Sequence, residues 1–282
     1  MYKNVLSKIS RNYFNNNNSL KLFDVSLRDG LQAQKKIYSL SEKKNILNEI
    51  IDIYNPDNIE VGSIVSEKVL PQMKDSIELY KYAESLNNNK KYYLLVPNKN
   101  KLKIALDNDI KNMSFISSFS DTFQRKNIKK SLYDTKKEIE KINKILKNNN
   151  LKENKLYLSC FNKCPFGSSI CNYDILEDLI YYNELESFNE LCLSDTTGKL
   201  TFDDFKELIY DIRGIINVNK LSLHLHCNSK NLDNTIEIID LALKFSINKL
   251  DISYIDEGGC SVTMNDENLN SNLNYKILEK LI

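Results

Sequence analysis

Two histidines are all that this 282-residue chain contains, and both fall in Leu223-His224-Leu225-His226. On a β-strand, positions i and i+2 point to the same face, so two imidazoles would converge on one point. That arrangement suits a metal ion; the plainer alternative is a pair of hydrogen-bonded core or rim histidines. A nitrogen pair completed by an oxygen donor such as Asp29 would accept magnesium, manganese or zinc, and ligand type leaves that choice open. Arg28-Asp29-Gly30 sets a permanent cation beside a carboxylate at a tight turn, an arrangement able to hold a metal and stabilise a developing oxyanion together. Elsewhere such a dipeptide is a solvated ion pair worth little.

Three more residues carry chemistry by type and setting. Glu60, in Ile59-Glu60-Val61, is an acid inside an apolar strand, and a buried carboxylate needs a partner; Arg28 is the candidate. Asp195, in Leu193-Ser194-Asp195-Thr196-Thr197-Gly198, either faces the site or caps the following helix. Gly258-Gly259-Cys260 offers a thiol on a flexible loop, where it could move over a bound substrate and donate or accept a proton. The alternative for Cys260 is a small apolar packing residue.

Elements that would bring these residues together can be read from the hydrophobic periodicity. Strands are expected at Lys21–Val25, Asn58–Val61, Tyr92–Val96, Asn112–Ile116, Lys155–Cys160, Glu190–Ser194, Lys220–His226 and Lys249–Tyr254. Helical patterns lie between and after them, near Ser41–Ile53, Asp75–Ser85, Asn100–Asp107, Ser131–Asn148, Asp174–Leu185, Phe202–Ile216, Leu232–Phe245 and Asn270–Leu281. Eight strand-helix pairs predict an α/β fold, a single (β/α)8 TIM barrel over residues 20–282, preceded by a leader at 1–19. An open doubly wound sheet would fit the same alternation, but no Gly-x-Gly-x-x-Gly follows the first strand. In a barrel the chemistry sits at the C-terminal ends of the strands. Arg28, Asp29, Glu60, Asp195, His224, His226 and Cys260 all fall at or just beyond such ends.

Composition narrows the partners. Thirty-nine basic residues against thirty-eight acidic ones give a net charge of +1, so no charge excess points to nucleic acid or a membrane surface. No apolar run approaches the roughly 20 residues that span a bilayer. Six cysteines in a chain this large read as free thiols, and Cys160-x3-Cys164 has no second pair to complete a zinc site. Residues 1–19 carry Lys3, Lys8 and Arg11 with no acid, then Asn15 to Asn18. The simpler reading is a compositionally biased leader on a cytoplasmic protein; a presequence would place the protein in the mitochondrial matrix.

Taken together, several ordered segments resemble the 3-hydroxy-3-methylglutaryl-CoA lyase family, within the wider group of metal-dependent barrel lyases and Claisen-type synthases. They are Leu22-Phe-Asp-Val-Ser-Leu-Arg28-Asp-Gly-Leu-Gln32, Ile59-Glu-Val-Gly62, Pro71-Gln-Met73, Phe123-Gln-Arg-Lys-Asn127, Leu158-Ser-Cys-Phe-Asn-Lys-Cys-Pro165, Ser194-Asp-Thr-Thr-Gly198, His224-Leu-His226 and Gly258-Gly-Cys260. Gly30-Leu31-Gln32 is similar to the lyases, whereas the synthases typically carry Gly-Glu-Gln there. The resemblance implies a divalent cofactor, magnesium or manganese, held by Asp29, His224, His226 and Asn268, with Asn265 as the alternative fourth ligand. It implies catalytic roles for Arg28, Glu60, Asp195, His224 and Cys260, and substrate contacts from Gln32 and, for the CoA phosphates, Lys35. The implied reaction splits 3-hydroxy-3-methylglutaryl-CoA into acetyl-CoA and acetoacetate, with an acyl-CoA as the small-molecule partner and a homodimer left open. Two stretches depart from the family: Cys227-Asn228-Ser229-Lys230 after the histidines, and Ser261–Asn268, where the family's glycines are lost. Those departures keep open a related lyase or synthase acting on another acyl group, or a barrel without activity.

Overall fold

A computed structural model describes residues 20–168, 170–255 and 271–279. Eight parallel strands close into a barrel in sequence order: β1 (Lys21–Asp24), β2 (Asn58–Ser63), β3 (Lys91–Leu95), β4 (Asn112–Ser118), β5 (Asn154–Ser159), β6 (Phe188–Ser194), β7 (Leu221–His224) and β8 (Lys249–Ile252). The surrounding helices are α1 (Leu40–Ile53), α2 (Ser76–Ser85), α3 (Lys99–Asp107), α4 (Asp121–Ile128), α5 (Leu132–Asn148), α6 (Asn172–Asn183), α7 (Phe202–Ile212), α8 (Leu232–Lys244) and α9 (Tyr275–Leu278). The expected barrel is therefore present, with every strand within a few residues of its expected place. No helix among the described residues is long and apolar enough to cross a membrane.

The α4 helix was not anticipated, because Asp121–Ile128 has too weak an apolar stripe to be read as a helix from its sequence. Its ends explain it: the Ser120 side chain accepts from the Phe123 N–H, and Lys129 closes it in the left-handed conformation at φ 60°. A second difference lies at Arg28-Asp29-Gly30, which forms a π-helical turn over Ser26–Gly30 instead of a tight turn. The N–H groups of Arg28, Asp29 and Gly30 all bond the Val25 carbonyl. Such turns are rare and are frequently found at functional sites.

Strand alternation sorts the side chains into two layers. Leu156, Leu158, Leu191, Leu193, Leu221, Leu223, Leu250 and Ile252 face the helices and belong to the main core. The intervening residues turn into the barrel. A barrel interior is ordinarily filled with branched apolar side chains. Here the apolar part is limited to Phe23, Val25 and Tyr93 in one cluster and Leu95, Tyr157 and Cys192 in another. The rest of the lumen is ionic: Arg28, Glu60, Lys155, Glu190, His224 and Asp251 are all buried. Buried charges cost several kcal/mol each unless paired, so this interior trades stability for chemistry.

Gly62 shows how tightly β2 is fitted to the helix layer. A Cβ there would lie 2.3 Å from Ser76 Oγ and 2.7 Å from Ser76 Cβ, closer than packed atoms approach. Ser76 Oγ accepts from the Ser63 N–H at 3.0 Å and donates to the Met73 carbonyl. The glycine thus lets α2 seat its first turn against the strand end that carries Ser63 into the site.

Candidate metal centre and active site

The strand ends converge on a cavity of about 180 Å³ lined by Arg28, Asp29, Gln32, Ser63, Tyr157, Ser194, Thr196, His224 and His226, with an apolar wall that includes Val69, Leu70, Leu95 and Phe123. His224 closes β7 and His226 stands two residues later, beyond the strand, where it forms a single antiparallel bridge with Asn272. The expected strand to His226 is thus two residues too long. The convergence survives, with the two imidazole centroids 5.1 Å apart.

One donor atom each from Asp29, His224 and His226 lies within 4.8 Å of the other two, and all three residues are buried. Each histidine is held by its other nitrogen. His224 Nδ1 meets Asp251 Oδ2 at 3.1 Å, and His226 Nδ1 meets the Asp195 carbonyl oxygen at 2.8 Å. A carbonyl can only accept, so His226 carries its proton on Nδ1 and presents the Nε2 lone pair to the site. That Nε2 is buried without a hydrogen-bond partner among the described residues. An orphaned lone pair of this kind, costly in a dry interior, fits a cation between the imidazoles and Asp29. Burial and the neighbouring His224 both lower the tendency of His226 to take up a proton, which keeps it neutral for ligation.

A second orphan stands beside it. Asn272 Nδ2 donates to Asp29 Oδ2 at 2.9 Å, while Asn272 Oδ1 is buried with no hydrogen-bond partner among the described residues. The expected fourth ligand, Asn268, and its alternative Asn265 lie outside the described residues, as does Cys260. Asn272 was missed by the sequence reading because no motif fixes the loop length after Cys260. The bridge to His226, the bond to Asp29 and the Tyr275–Asp24 anchor bring it to the site.

Arg28 is fixed from three sides. Its Nη1 donates to Asp29 Oδ1, its Nε donates to Glu60 Oε2, and its guanidinium lies 5.0 Å from the Tyr157 ring centre. The expected Arg28–Glu60 pair is present. Glu60 also accepts from Ser114 Oγ and from the Tyr157 hydroxyl at 3.1 Å. Burial alone would lower the Arg28 pKa, but Glu60 and Asp29 drive it well above the ordinary value, so the cation is permanent. With Nε and Nη1 committed, Nη2 is the nitrogen left for a ligand oxygen. Gln32 Nε2 donates to Asp29 Oδ1 at 3.2 Å and lines the cavity. Lys35 is exposed and does not line it.

Asp195 is buried, but its carboxylate accepts the Lys199 and Leu200 N–H groups at 3.2 and 3.0 Å. It therefore organises the loop after β6, while Thr201 caps α7. Through its carbonyl it also orients His226. Burial raises the Asp195 pKa despite the Leu200 N–H. The five cysteines among the described residues are free, in line with the thiol reading.

Below the mouth, Asp24 anchors the segment that carries Asn272. Its carboxylate accepts from the Ser26 N–H and the Tyr275 hydroxyl, each at 2.9 Å, and Tyr275 stacks on Tyr54 with centroids 3.8 Å apart. Burial raises the Asp24 pKa to about 6, against the lowering effect of the Ser26 N–H. The unfolded value is about 3.9. A carboxyl whose folded pKa is raised contributes a penalty that is absent below about pH 4 and complete once the pH exceeds 6. Asp24→Asn, which keeps the neutral shape, is therefore expected to gain about 2–3 kcal/mol over the wild type at pH 8. Denaturant unfolding at pH 4 and pH 8 checks this; an equal effect at both pH values would contradict it.

The HMGL-like family matches residues 19–231. The chain is 27% identical over 242 residues to the mitochondrial hydroxymethylglutaryl-CoA lyase of Macaca fascicularis, covering 86% of this chain and 72% of that protein. Two crystal structures share the barrel. Hydroxymethylglutaryl-CoA lyase from Pseudomonas aeruginosa superposes with a TM-score of 0.81 at 23% identity, over 94% of this chain and 85% of that one. An HMG-CoA lyase from Acinetobacter baumannii, in complex with coenzyme A and 3-methylmalate, gives 0.79 at 22%, over 91% and 81%. With a family match across three quarters of its length, the lyase barrel closed, and the aspartate and two histidines gathered at its mouth, this chain belongs to the HMGL-like family.

Proposed function

We propose that the protein is a metal-dependent carbon–carbon lyase that cleaves 3-hydroxy-3-methylglutaryl-CoA into acetyl-CoA and acetoacetate. The observation that carries this reading is the Asp29–His224–His226 donor set with its orphaned His226 Nε2, beside a fixed arginine. Asn272 Oδ1 supplies the further oxygen donor. When bound there, a divalent ion would acidify the substrate's tertiary hydroxyl and fix its geometry.

The protein's own groups then divide the work. Asp29, held by Arg28, Gln32 and Asn272, keeps its oxygens aimed at the site. As the hydroxyl proton passes to water at the cavity mouth, the C3–O bond becomes a carbonyl, the C2–C3 bond breaks, and its electrons collect in a thioester enolate. Arg28 Nη2 donates to that enolate oxygen, and Glu60 with Tyr157 stops the guanidinium from turning away. Cys260, outside the described residues, is the proposed proton donor to C2, which completes acetyl-CoA. Relatives support the acyl-CoA assignment by their names and by the coenzyme A bound in the Acinetobacter baumannii structure.

The apolar wall of Val69, Leu70, Leu95 and Phe123 favours a second reading, a longer alkyl group at C3 of the same glutaryl thioester. One experiment covers both. Purified protein with manganese or magnesium is incubated with a series of 3-hydroxyglutaryl-CoA thioesters bearing a methyl or a longer alkyl group at C3. Acetoacetate from the 3-methyl compound, lost on chelation, is the expected result; cleavage that persists without metal would refute the mechanism.

A further inference from the structure

Beneath His224 the barrel interior holds an unbroken ionic column. Glu190 and Lys155 are paired in register on β6 and β5, and Lys155 Nζ lies 2.9 Å from Glu190 Oε1. The same ammonium bonds Asp251 Oδ1. Asp251 Oδ2, on β8, then meets His224 Nδ1 at 3.1 Å. Lys155 and Asp251 are almost completely buried, and Lys155 is further enclosed by the Phe23 and Tyr157 rings at 3.8 and 4.8 Å. Ser222 Oγ donates to the other end of the column, at Glu190 Oε1. The Cys192 thiol, a weak donor, lies 3.8 Å from Asp251 Oδ2, and the Asp24 carboxyl and Tyr157 hydroxyl are the other titratable groups that feel the Asp251 charge.

Glu190, Lys155 and Asp251 do not line the cavity, so no role in touching substrate accounts for them. A hydrophobic filling of equal volume would be as stable or more so. What the column does control is the proton on His224. An ionised carboxylate can only accept, so Asp251 requires the hydrogen on Nδ1 and leaves the Nε2 lone pair facing Asp29, 3.9 Å away. Lys155 keeps Asp251 ionised and stationary, and Glu190 balances Lys155.

We infer that Asp251, locked by Lys155 and Glu190, is a positioning residue that selects the metal-binding tautomer of His224. This rests on the metal-centre reading, but its key readout is taken without metal. Asparagine at 251 would face two donors, the Lys155 ammonium and the imidazole. The ammonium, being charged, claims the amide oxygen, which turns Nδ2 toward His224 and forces the proton to Nε2.

The test uses the full chain labelled with 15N-histidine, in which only two imidazoles report. At a pH high enough to keep both imidazoles neutral, metal-free wild-type protein is expected to show the His224 proton on Nδ1 with a bare Nε2, and folded Asp251→Asn the reverse. Manganese binding by calorimetry is expected to weaken about 10–100-fold in the variant. A neutral wild-type His224 with its proton on Nε2 overturns the inference without recourse to the variant. So does a folded variant with unchanged tautomer and manganese affinity. Absence of manganese uptake by the wild type, with the Nδ1 tautomer present, would instead sink the metal centre itself.

Discussion

Arg28→Lys is expected to lower kcat by about 10²–10³-fold while KM changes much less, the pattern left by removing a donor that acts on charge developing in the transition state. The substitution keeps the positive charge, so Glu60 and Asp29 are not abandoned in the barrel. What it loses is the planar fork. Arginine bonds Glu60 through Nε and Asp29 through Nη1 and still has Nη2 for an oxyanion. An ammonium is a compact point charge on a flexible stem, and it cannot span the two carboxylates and the substrate in one fixed geometry. Removing the charge altogether, as in Arg28→Met, would add a folding cost of about 3–5 kcal/mol for the stranded carboxylates, which is why lysine is the cleaner variant. Steady-state kinetics on 3-hydroxy-3-methylglutaryl-CoA decide the matter. A kcat within threefold of the wild type would remove Arg28 from the proposed chemistry.

The second large effect is expected from His226→Ala. Loss of Nε2 takes away a ligand that has no hydrogen-bond partner among the described residues, so none of the described contacts is lost with it, whereas a bound cation loses one of its protein donors. High-affinity manganese binding is expected to disappear and kcat to fall by more than about 10³-fold, given a metal that supplies several kcal/mol of charge stabilisation. Calorimetric titration with manganese and activity at rising metal concentration check both parts. The structural cost should be modest: the bond from Nδ1 to the Asp195 carbonyl is lost, worth roughly 1 kcal/mol. Retention of stoichiometric manganese binding in a folded variant would falsify the assignment of this site.

How much of this was written in the chain depends on which force placed each residue. Period-two alternation of apolar residues is a local property, so the eight strands, and with them the barrel, could be read directly from the sequence. Arg28, Asp29, Glu60, His224 and His226 could be placed at the mouth for the same reason, because a barrel sends the residues at its strand ends to one face. Lys155 and Asp251 carried the same signal as Glu60, a charge inside an apolar strand, and were passed over because they lie deeper than the ends. What the sequence alone could not decide was partner choice across the barrel. That Lys155 reaches Asp251, that His224 thereby receives its tautomer, and that Asp195 serves a loop and offers its carbonyl to His226 all depend on contacts between strands and loops far apart in the chain. Asn272 illustrates the limit most clearly. Spacing from Cys260 did not identify it, because a loop's length imposes little on where its far end docks. Closure of the barrel fixes that docking, through the bridge to His226 and the Tyr275–Asp24 anchor.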